Sequence, residues 1–183
     1  KSLLGNANTN WIDEIFHTAF ATDNNLSLSG HTGFLPYRVS VGYTNQSGIL
    51  KTDKVERYSG SLVLNPSFFE DHLRLVLNVK GTVSKSRFAD SGTIYNASSF
   101  NPTVPVYSGK AAFGGYYESI SPGGVPDATK NPVGLLEYVK HTGNVKRVIG
   151  NFDVDYKMHF LPELKAHVSL GLDYAKGYGI YQR

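Results

Sequence analysis

Cysteine is absent from the 183 residues, which removes disulfide frameworks, thiolate metal sites and thiol nucleophiles from consideration. Long apolar runs are missing too. No stretch approaches the ~18 consecutive apolar residues of a membrane-crossing helix, so a helical span is excluded while a membrane β-structure stays open. Charge is sparse at 18% of residues, and 18 basic against 15 acidic side chains leave a formal +3. With no Lys/Arg run interleaved with aromatics, nucleic acid is not an expected partner. The chain begins at Lys1 without an initiator Met, a charged n-region or an apolar h-region, so any export signal is expected outside this stretch.

Tyr, Phe and Gly are what the chain has in quantity, with 12, 10 and 19 copies. That mixture favours strands and turns over helices. Apolar residues recur with period two, as on a strand with one apolar face. Leu26 and Leu28 alternate with Ser27 and Ser29. Tyr37, Val39, Val41 and Tyr43 stand opposite Arg38, Ser40, Gly42 and Thr44. Tyr58, Gly60, Leu62 and Leu64 follow, then Leu73, Leu75, Leu77, Val79 and Val83 with Arg74, Asn78, Lys80, Thr82 and Ser84 on the other side. Val148, Phe152, Val154, Tyr156, Met158 and Phe160 share a face against Arg147, Asn151, Asp153, Asp155, Lys157 and His159. Last, Ala166, Val168, Leu170, Leu172 and Tyr174 alternate with Lys165, His167, Ser169, Gly171 and Asp173. Several of these strands run roughly ten to sixteen residues, against the usual ~5–6.

Tight reversals are expected at His31–Pro36, Ser67–His72 and Phe160–Leu164. Longer connections alternate with them: Thr44–Lys54 and, above all, residues 86–144, which hold most of the Pro and Gly. Within that stretch Asn131–Val139 reads as a short helix, with Pro132 near its start and Leu135, Leu136 and Val139 at helical spacing. Short turns on one side and long loops on the other are the pattern of a transmembrane barrel. The expected fold is all-β: an antiparallel, up-and-down membrane barrel segment of six or seven long strands, with residues 86–144 as a long extracellular loop and no plug domain. Tyr58, Phe68, Phe69, Phe160 and Tyr174 would sit near the membrane interfaces. A soluble β-sandwich also alternates, and periodicity leaves it open.

Enzymatic chemistry has little to stand on. Asp153 and Asp155 share a strand face and approach the carboxylate spacing of a glycosidase, but Arg147, Lys157 and Lys165 lie on matching faces, and a charge ladder is the expected reading. Arg74, Asn78, Lys80, Arg147, Asn151, Asp153, Asp155 and Lys157 are therefore taken as lumen-lining. His159 and His167 flank one turn and would form a metal pair only with a third ligand, which nothing supplies at fixed spacing; no metal and no cofactor are expected. Binding is better provided for. Aromatic faces beside polar groups suit sugars and peptides, and the long loop carries Tyr95, Phe100, Tyr107, Tyr116 and Tyr117, with Asn96, Asn101 and Glu118 nearby. Trp11 reads as structural.

"NTNWIDEIFHTAF" (Asn8–Phe20), then "YRVSVGYTNQSGILKTDKVERYSGSLVLNPSFFEDHLRLVLNVKGTVSKSRFAD", then "SFNPTVPVY", "NPVGLLE" and "VKRVIGNFDVDYKMHFLPELKAHVSLGLDYA", in that order, resemble the barrel of SusC/RagA-type TonB-dependent transporters along essentially the whole chain. The resemblance implies a Gram-negative outer-membrane importer of oligosaccharides or peptides, not an enzyme. It also implies a barrel of about 22 strands, an N-terminal plug, a SusD-like lipoprotein lid and energy from TonB. Plug, TonB-contacting segment and closing strand are not recognisable here, so contact with TonB would run through parts outside this chain. Six or seven strands by themselves leave two edges that need other strands or chains in lipid. A β-rich surface module that binds glycans without transport is the alternative, and a soluble enzymatic β-domain the weakest. On the predicted lipid face, Leu75→Arg or Val168→Arg should cost about 2–4 kcal/mol near the midplane, read as reduced assembly of the full-length protein in the membrane fraction; undisturbed assembly would reverse the face assignment.

Overall fold

The computed structural model describes residues 5–161 and 163–182. Its strands are β1 (Ala21–Thr32), β2 (Leu35–Ser47), β3 (Lys54–Leu64), a two-residue β4 (Ser67–Phe68), β5 (Leu73–Phe88), β6 (Lys140–Lys157) and β7 (Lys165–Gln182). They form one sheet in the order β1-β2-β3-β5-β6-β7, with β4 on the end of β5. Each long strand runs antiparallel to the next in sequence, which is the up-and-down arrangement expected.

Register explains why the alternation is so regular. Leu28, Val39, Leu62, Val79, Gly150 and Leu172 are successive cross-strand partners, a single row spanning six strands. The row beside it is Leu26, Val41, Gly60, Gly81, Val148 and Tyr174, and on the other side come Gly30, Tyr37, Leu64, Leu77, Phe152 and Leu170. Apolar residues thus meet apolar residues across every seam, and a slip of one residue would turn a whole strand's apolar set to the opposite face. Gly30 leaves room for its partner: a Cβ there would come within 2.9 Å of the Tyr37 hydroxyl.

No residue of these strands is fully buried. Val41 is 54% exposed and Val148 41%, although both lie on strands that are paired on both sides. An uncovered apolar surface this wide exceeds what a water-soluble protein tolerates. β1 pairs only with β2 and β7 only with β6, so both outer strands keep an unpaired edge among the described residues.

The turns between strands are short at one end of the sheet. β1 and β2 are joined by Gly33 and Phe34, with Gly33 at φ +58. At the β4–β5 turn Phe69, Glu70 and Asp71 all take positive φ, and the His72 amide donates to the Phe69 carbonyl at 3.0 Å. Pro162, in the expected Phe160–Leu164 reversal, lies outside the described residues; around it the Met158 amide donates to the Leu164 carbonyl at 3.0 Å.

The other end differs from expectation in two respects. Pairing continues out to Phe88 opposite His141, so the loop spans 89–139 rather than 86–144; both faces are polar near these ends, and alternation gives no signal there. Instead of one short helix the described residues hold three, α1 (Trp11–Ile15), α2 (Gly92–Ser99) and α3 (Pro132–Tyr138), with a 3-10 turn at Ala111–Phe113. Pro at the first turn and an Asn cap start α3, as Pro132 indicated. Asn10 caps α1 by accepting from the Ile12 amide, and the Asp90 carboxylate accepts from the Gly92 amide at the start of α2.

These helices build the protein's buried core away from the sheet. Trp11, Ile15, Ala97, Phe100, Val104 and Leu136 pack together, and the Trp11 and Phe100 rings meet edge to face at 4.8 Å. Trp11 Nε1 donates to the Asn101 carbonyl at 2.9 Å, and the Ala7 and Thr9 amides donate to Thr103 and Pro102. From the same segment, the His17 amide donates to Ile49 and Ile15 accepts from the Lys51 amide. One N-terminal strap therefore ties the long loop to the β2–β3 connection. Trp11→Ala should cost the loop package about 3–5 kcal/mol, seen as faster amide exchange at 101–106 and 49–51 in the full-length protein with strand amides unchanged; unaltered exchange would show that the strap is dispensable.

Candidate functional site

Two regions of the chain are equipped for ligands: the polar face of the sheet and the outer surface of the loop package. Arg74, Asn78, Lys80, Arg147, Asn151, Asp153, Asp155 and Lys157 all fall on the polar face. Arg74 is the cross-strand partner of Asp155, and Asn78 of Asn151. Arg147 forms a two-pronged pair with Asp173, Nε to Oδ1 at 2.9 Å and Nη2 to Oδ2 at 2.5 Å. His167 Nδ1 lies 2.7 Å from Asp155 Oδ1, and the Ser169 hydroxyl donates to Asp153. Acids and bases interleave here as a ladder across β5, β6 and β7, whose net effect is a hydrophilic wall with alternating sign. Lys80 faces Ile149 and Lys157 faces Lys165, so neither is neutralised by its cross-strand partner.

His159 and His167 are not brought together. His167 is held by Asp155, while the His159 ring stacks on His72 with centroids 4.2 Å apart and takes part in a 2.8 Å hydrogen bond with the Tyr156 hydroxyl. The turn separates them because their side chains belong to different ends of the β6–β7 reversal. The expectation that they become cross-strand neighbours is overturned by the register, which sets Asp155 opposite His167.

On the loop the five aromatic candidates divide. Tyr107 and Tyr116 pair as an isolated antiparallel bridge with ring centroids 5.2 Å apart. Tyr138, from α3, joins them edge-on to Tyr116 at 5.5 Å. Tyr117 is half-buried and packs on the loop core. Tyr95 stands alone on α2, 73% exposed. Phe100 is only 7% exposed; its ring is consumed by contact with Trp11, showing an edge to a cleft of about 180 Å³ that Asn101, Tyr117, Ser119 and Asp127 also line. Burial thus removes Phe100 as an open platform.

The polar companions expected beside the aromatics are engaged in holding the loop. Asn96 Oδ1 accepts from the Lys130 amide at 2.7 Å, Asn101 Oδ1 from the Thr103 amide at 2.9 Å, and Glu118 Oε1 from the Asn131 amide at 3.2 Å. Side chain to backbone bonds of this kind, one local and two joining residues 34 and 13 apart in sequence, are how loops without strands satisfy their polar groups.

Tyr138 was missed by reading the sequence because α3 was assigned by its apolar spacing alone. A signal did exist in "FGGYY": Gly114 takes φ +57, and a Cβ there would fall 1.2 Å from the Tyr138 hydroxyl. That hydroxyl donates to the Phe113 carbonyl at 3.0 Å. Burial, with Tyr107 beside it, raises the pKa of the Tyr116 hydroxyl above the usual tyrosine range, which favours its neutral form. Three phenol rings side by side offer apolar faces with hydroxyl rims, a surface suited to sugar rings or peptide side chains.

Asn131 positions that shelf. It is fully buried; its Oδ1 accepts from the Val133 and Gly134 amides at 3.0 and 3.1 Å, and its Nδ2 donates to the Val106 and Tyr117 carbonyls, each at 3.0 Å. One side chain both caps α3 and clamps the residues next to Tyr107 and Tyr116.

Compared with known proteins, the chain is 44% identical over 189 aligned residues to the TonB-dependent receptor SusC of Bacteroides thetaiotaomicron, an alignment covering 95% of this chain and 19% of that receptor. Its fold is similar to solved structures of the RagAB peptide importer: TM-score 0.67 at 21% identity in the open-open state, covering 95% of this chain and 19% of that one. In the closed-closed state the TM-score is 0.65 at 20% identity, covering 95% and 20%. The chain thus spans about a fifth of the length of the relatives it matches. No family model matches it. The geometry around Asn131 generates its own test: Asn131→Ala should destabilise the loop by about 2–4 kcal/mol through the lost cap and the orphaned Tyr117 carbonyl, the Val106 carbonyl keeping the Tyr117 amide. Limited proteolysis of the full-length protein should then cut between 106 and 130, and resistance equal to the wild type would show that the clamp is redundant.

Proposed function

Since the chain belongs to the SusC/RagA-type TonB-dependent receptors, we propose that it forms part of the wall and the outer mouth of an outer-membrane importer of oligosaccharides or peptides in a Gram-negative cell. The observation that carries this reading is the uncovered apolar face running without a break across six strands. On β5 it extends from Leu73 to Val83, about 11 residues or roughly 36 Å at ~3.3 Å per residue. Tilted by ~45°, such a strand rises about 25 Å, the height of the apolar band of outer-membrane barrels. In lipid this face needs no cover, and the backbone is satisfied by the unbroken ladder.

The opposite face then lines the lumen. Its alternating charges, from Arg74 and Asp155 to Arg147 and Asp173, suit a hydrated passage without strong preference for one sign. The short turns lie at the periplasmic end and the loop package at the extracellular one. Tyr43 and Tyr58, in contact at 5.0 Å, would mark the outer interface, and Phe34 and Phe68, also at 5.0 Å, the inner one. Tyr107, Tyr116 and Tyr138 serve as a contact surface for incoming substrate, with Tyr95 and Tyr117 flanking it. A SusD-like lid would rest on the exposed Ile94, Ile120 and Val125, and TonB would engage parts of the protein beyond this stretch.

Binding by two stacked phenols contributes about 0.5–1.5 kcal/mol each. Tyr107→Ala with Tyr116→Ala in the full-length transporter should therefore raise the half-saturating substrate concentration for uptake about tenfold, with uptake by wild type abolished when TonB is absent. Unchanged half-saturation would remove the shelf from the substrate path; uptake that continues without TonB would overturn energised import.

A further inference from the structure

The apolar face of the sheet does not end in a neutral rim at its loop end. Directly beyond the row holding Leu26, Val41 and Tyr174, the outward positions are Tyr43, Tyr58, Val83, Lys146 and Lys176, each the cross-strand partner of the next. One row further out come Glu56, Lys85, Asn144 and Tyr178, and then Lys54 opposite Arg87. Among the described residues one carboxylate, Glu56, shares this outward patch of the sheet. Glu56 is occupied by Lys54 at 2.7 Å, and Arg87 is drawn to the loop by the Leu136 carbonyl at 3.2 Å and Glu137 at 3.8 Å. Lys85, Lys146 and Lys176 are exposed and make no salt bridge among the described residues.

Such an arrangement is unfavourable by itself. Like charges set directly opposite one another on neighbouring strands repel, and Lys146 and Lys176 are such a pair. An anionic partner reverses the sign of that interaction. Between the strands a groove of about 350 Å³ opens, lined by Lys54, Glu56, Lys85, Arg87, Asn144 and Tyr178, and Lys146 and Lys176 form the row next to it on the side of the apolar face. Asn144 Nδ2 donates to the Tyr178 hydroxyl at 3.0 Å, while Asn144 Oδ1 is buried and lacks any partner. A buried acceptor without a donor is costly unless a ligand supplies one. Cations above an apolar face, beside an orphaned acceptor, match a molecule with acyl chains, phosphate groups and sugar hydroxyls.

We propose that this groove, together with the Lys146–Lys176 row beside it, binds the phosphorylated sugar headgroup of an outer-leaflet glycolipid. The phosphates lie among Lys85, Lys146 and Lys176, a sugar hydroxyl donates to Asn144 Oδ1, and the acyl chains run down over Val79, Val148 and Leu172. Long lysine stems lie along the apolar surface and carry their charge up to the headgroup level. The site rests on the membrane placement proposed above but is separate from substrate passage, since it occupies the face turned away from the lumen.

The test uses the full-length receptor, stripped of lipid in mild detergent, with three probes: bisphosphorylated lipid A, chemically dephosphorylated lipid A, and inorganic phosphate. Binding is followed by thermal unfolding and by native mass spectrometry. Bisphosphorylated lipid A should raise Tm and stay bound. Lys85→Gln, Lys146→Gln and Lys176→Gln together should weaken it at least about tenfold, with Lys176→Gln alone intermediate and both variants keeping wild-type strand content. Equal binding by the triple variant, equal binding of the dephosphorylated lipid, or stabilisation by inorganic phosphate matching that of the lipid would overturn the proposal. Wild-type receptor that is monodisperse without detergent would instead overturn the membrane placement, whereas detergent-dependent receptor indifferent to lipid A overturns this site alone.

Discussion

The interstrand hydrogen-bond ladder is the constraint on which the rest of this structure depends. With no residue of the long strands fully buried, the sheet has no core of its own to hold it, and its coherence comes from backbone pairing that continues from β1 to β7 without a crossover. In hydrocarbon that pairing is strong, because an unpaired amide or carbonyl has no water to turn to. The ladder also fixes which side chains share a face, and so divides one set of strands into a wall for lipid and a wall for water. Its weakness lies at β1 and β7, which need further strands to complete them.

Order in the loop package has a different origin. The loop package carries the chain's buried apolar residues, gathered around Trp11, Phe100 and Leu136, and it solves the problem of a 51-residue connection (89–139, from the strand ends at 88 and 140) by folding on itself. Most connections of this length lack structure or serve a function; here a small core and the four hydrogen bonds of Asn131 give it both order and an exposed tyrosine shelf. The N-terminal strap extends this order to the β2–β3 connection. Rigid attachment matters for a binding surface, since contacts made by pre-ordered groups lose less entropy on binding.

The two walls of the sheet handle charge differently. On the polar face carboxylates are interspersed among the cations, and Arg147 with Asp173 and His167 with Asp155 form ion pairs, although Lys157 faces Lys165. Outward, at the loop end, cations accumulate with little compensation, and Lys146 and Lys176 face each other across one seam. The polar face thus mixes charges of both signs, whereas the outward patch at the loop end has Glu56 as its one carboxylate among the described residues, a difference that is intelligible when the two sides meet different surroundings.

Strand identity, face assignment and the up-and-down order were legible in the sequence, because a period of two is a local property of the chain: Leu73 through Val83 alternates whatever its neighbours are. Tight turns were legible for the same reason, since Gly33 and the Phe69–Asp71 run are short-range features. The ends of β5 and β6 were not, as both faces are polar there and only pairing with each other extends them. Helices α1 and α2 escaped notice because five to eight residues carry too little periodicity, and they hold their form through contacts with distant segments. Those contacts also decided the roles of single residues. Phe100 and Tyr107 are alike in sequence, yet one is buried against Trp11 and the other stands open beside Tyr116. His159 and His167 looked adjacent until register set Asp155 opposite the latter. Local pattern determined what each strand is; which side chains meet depended on cross-strand register and loop packing, interactions between residues far apart in the chain that no local pattern encodes.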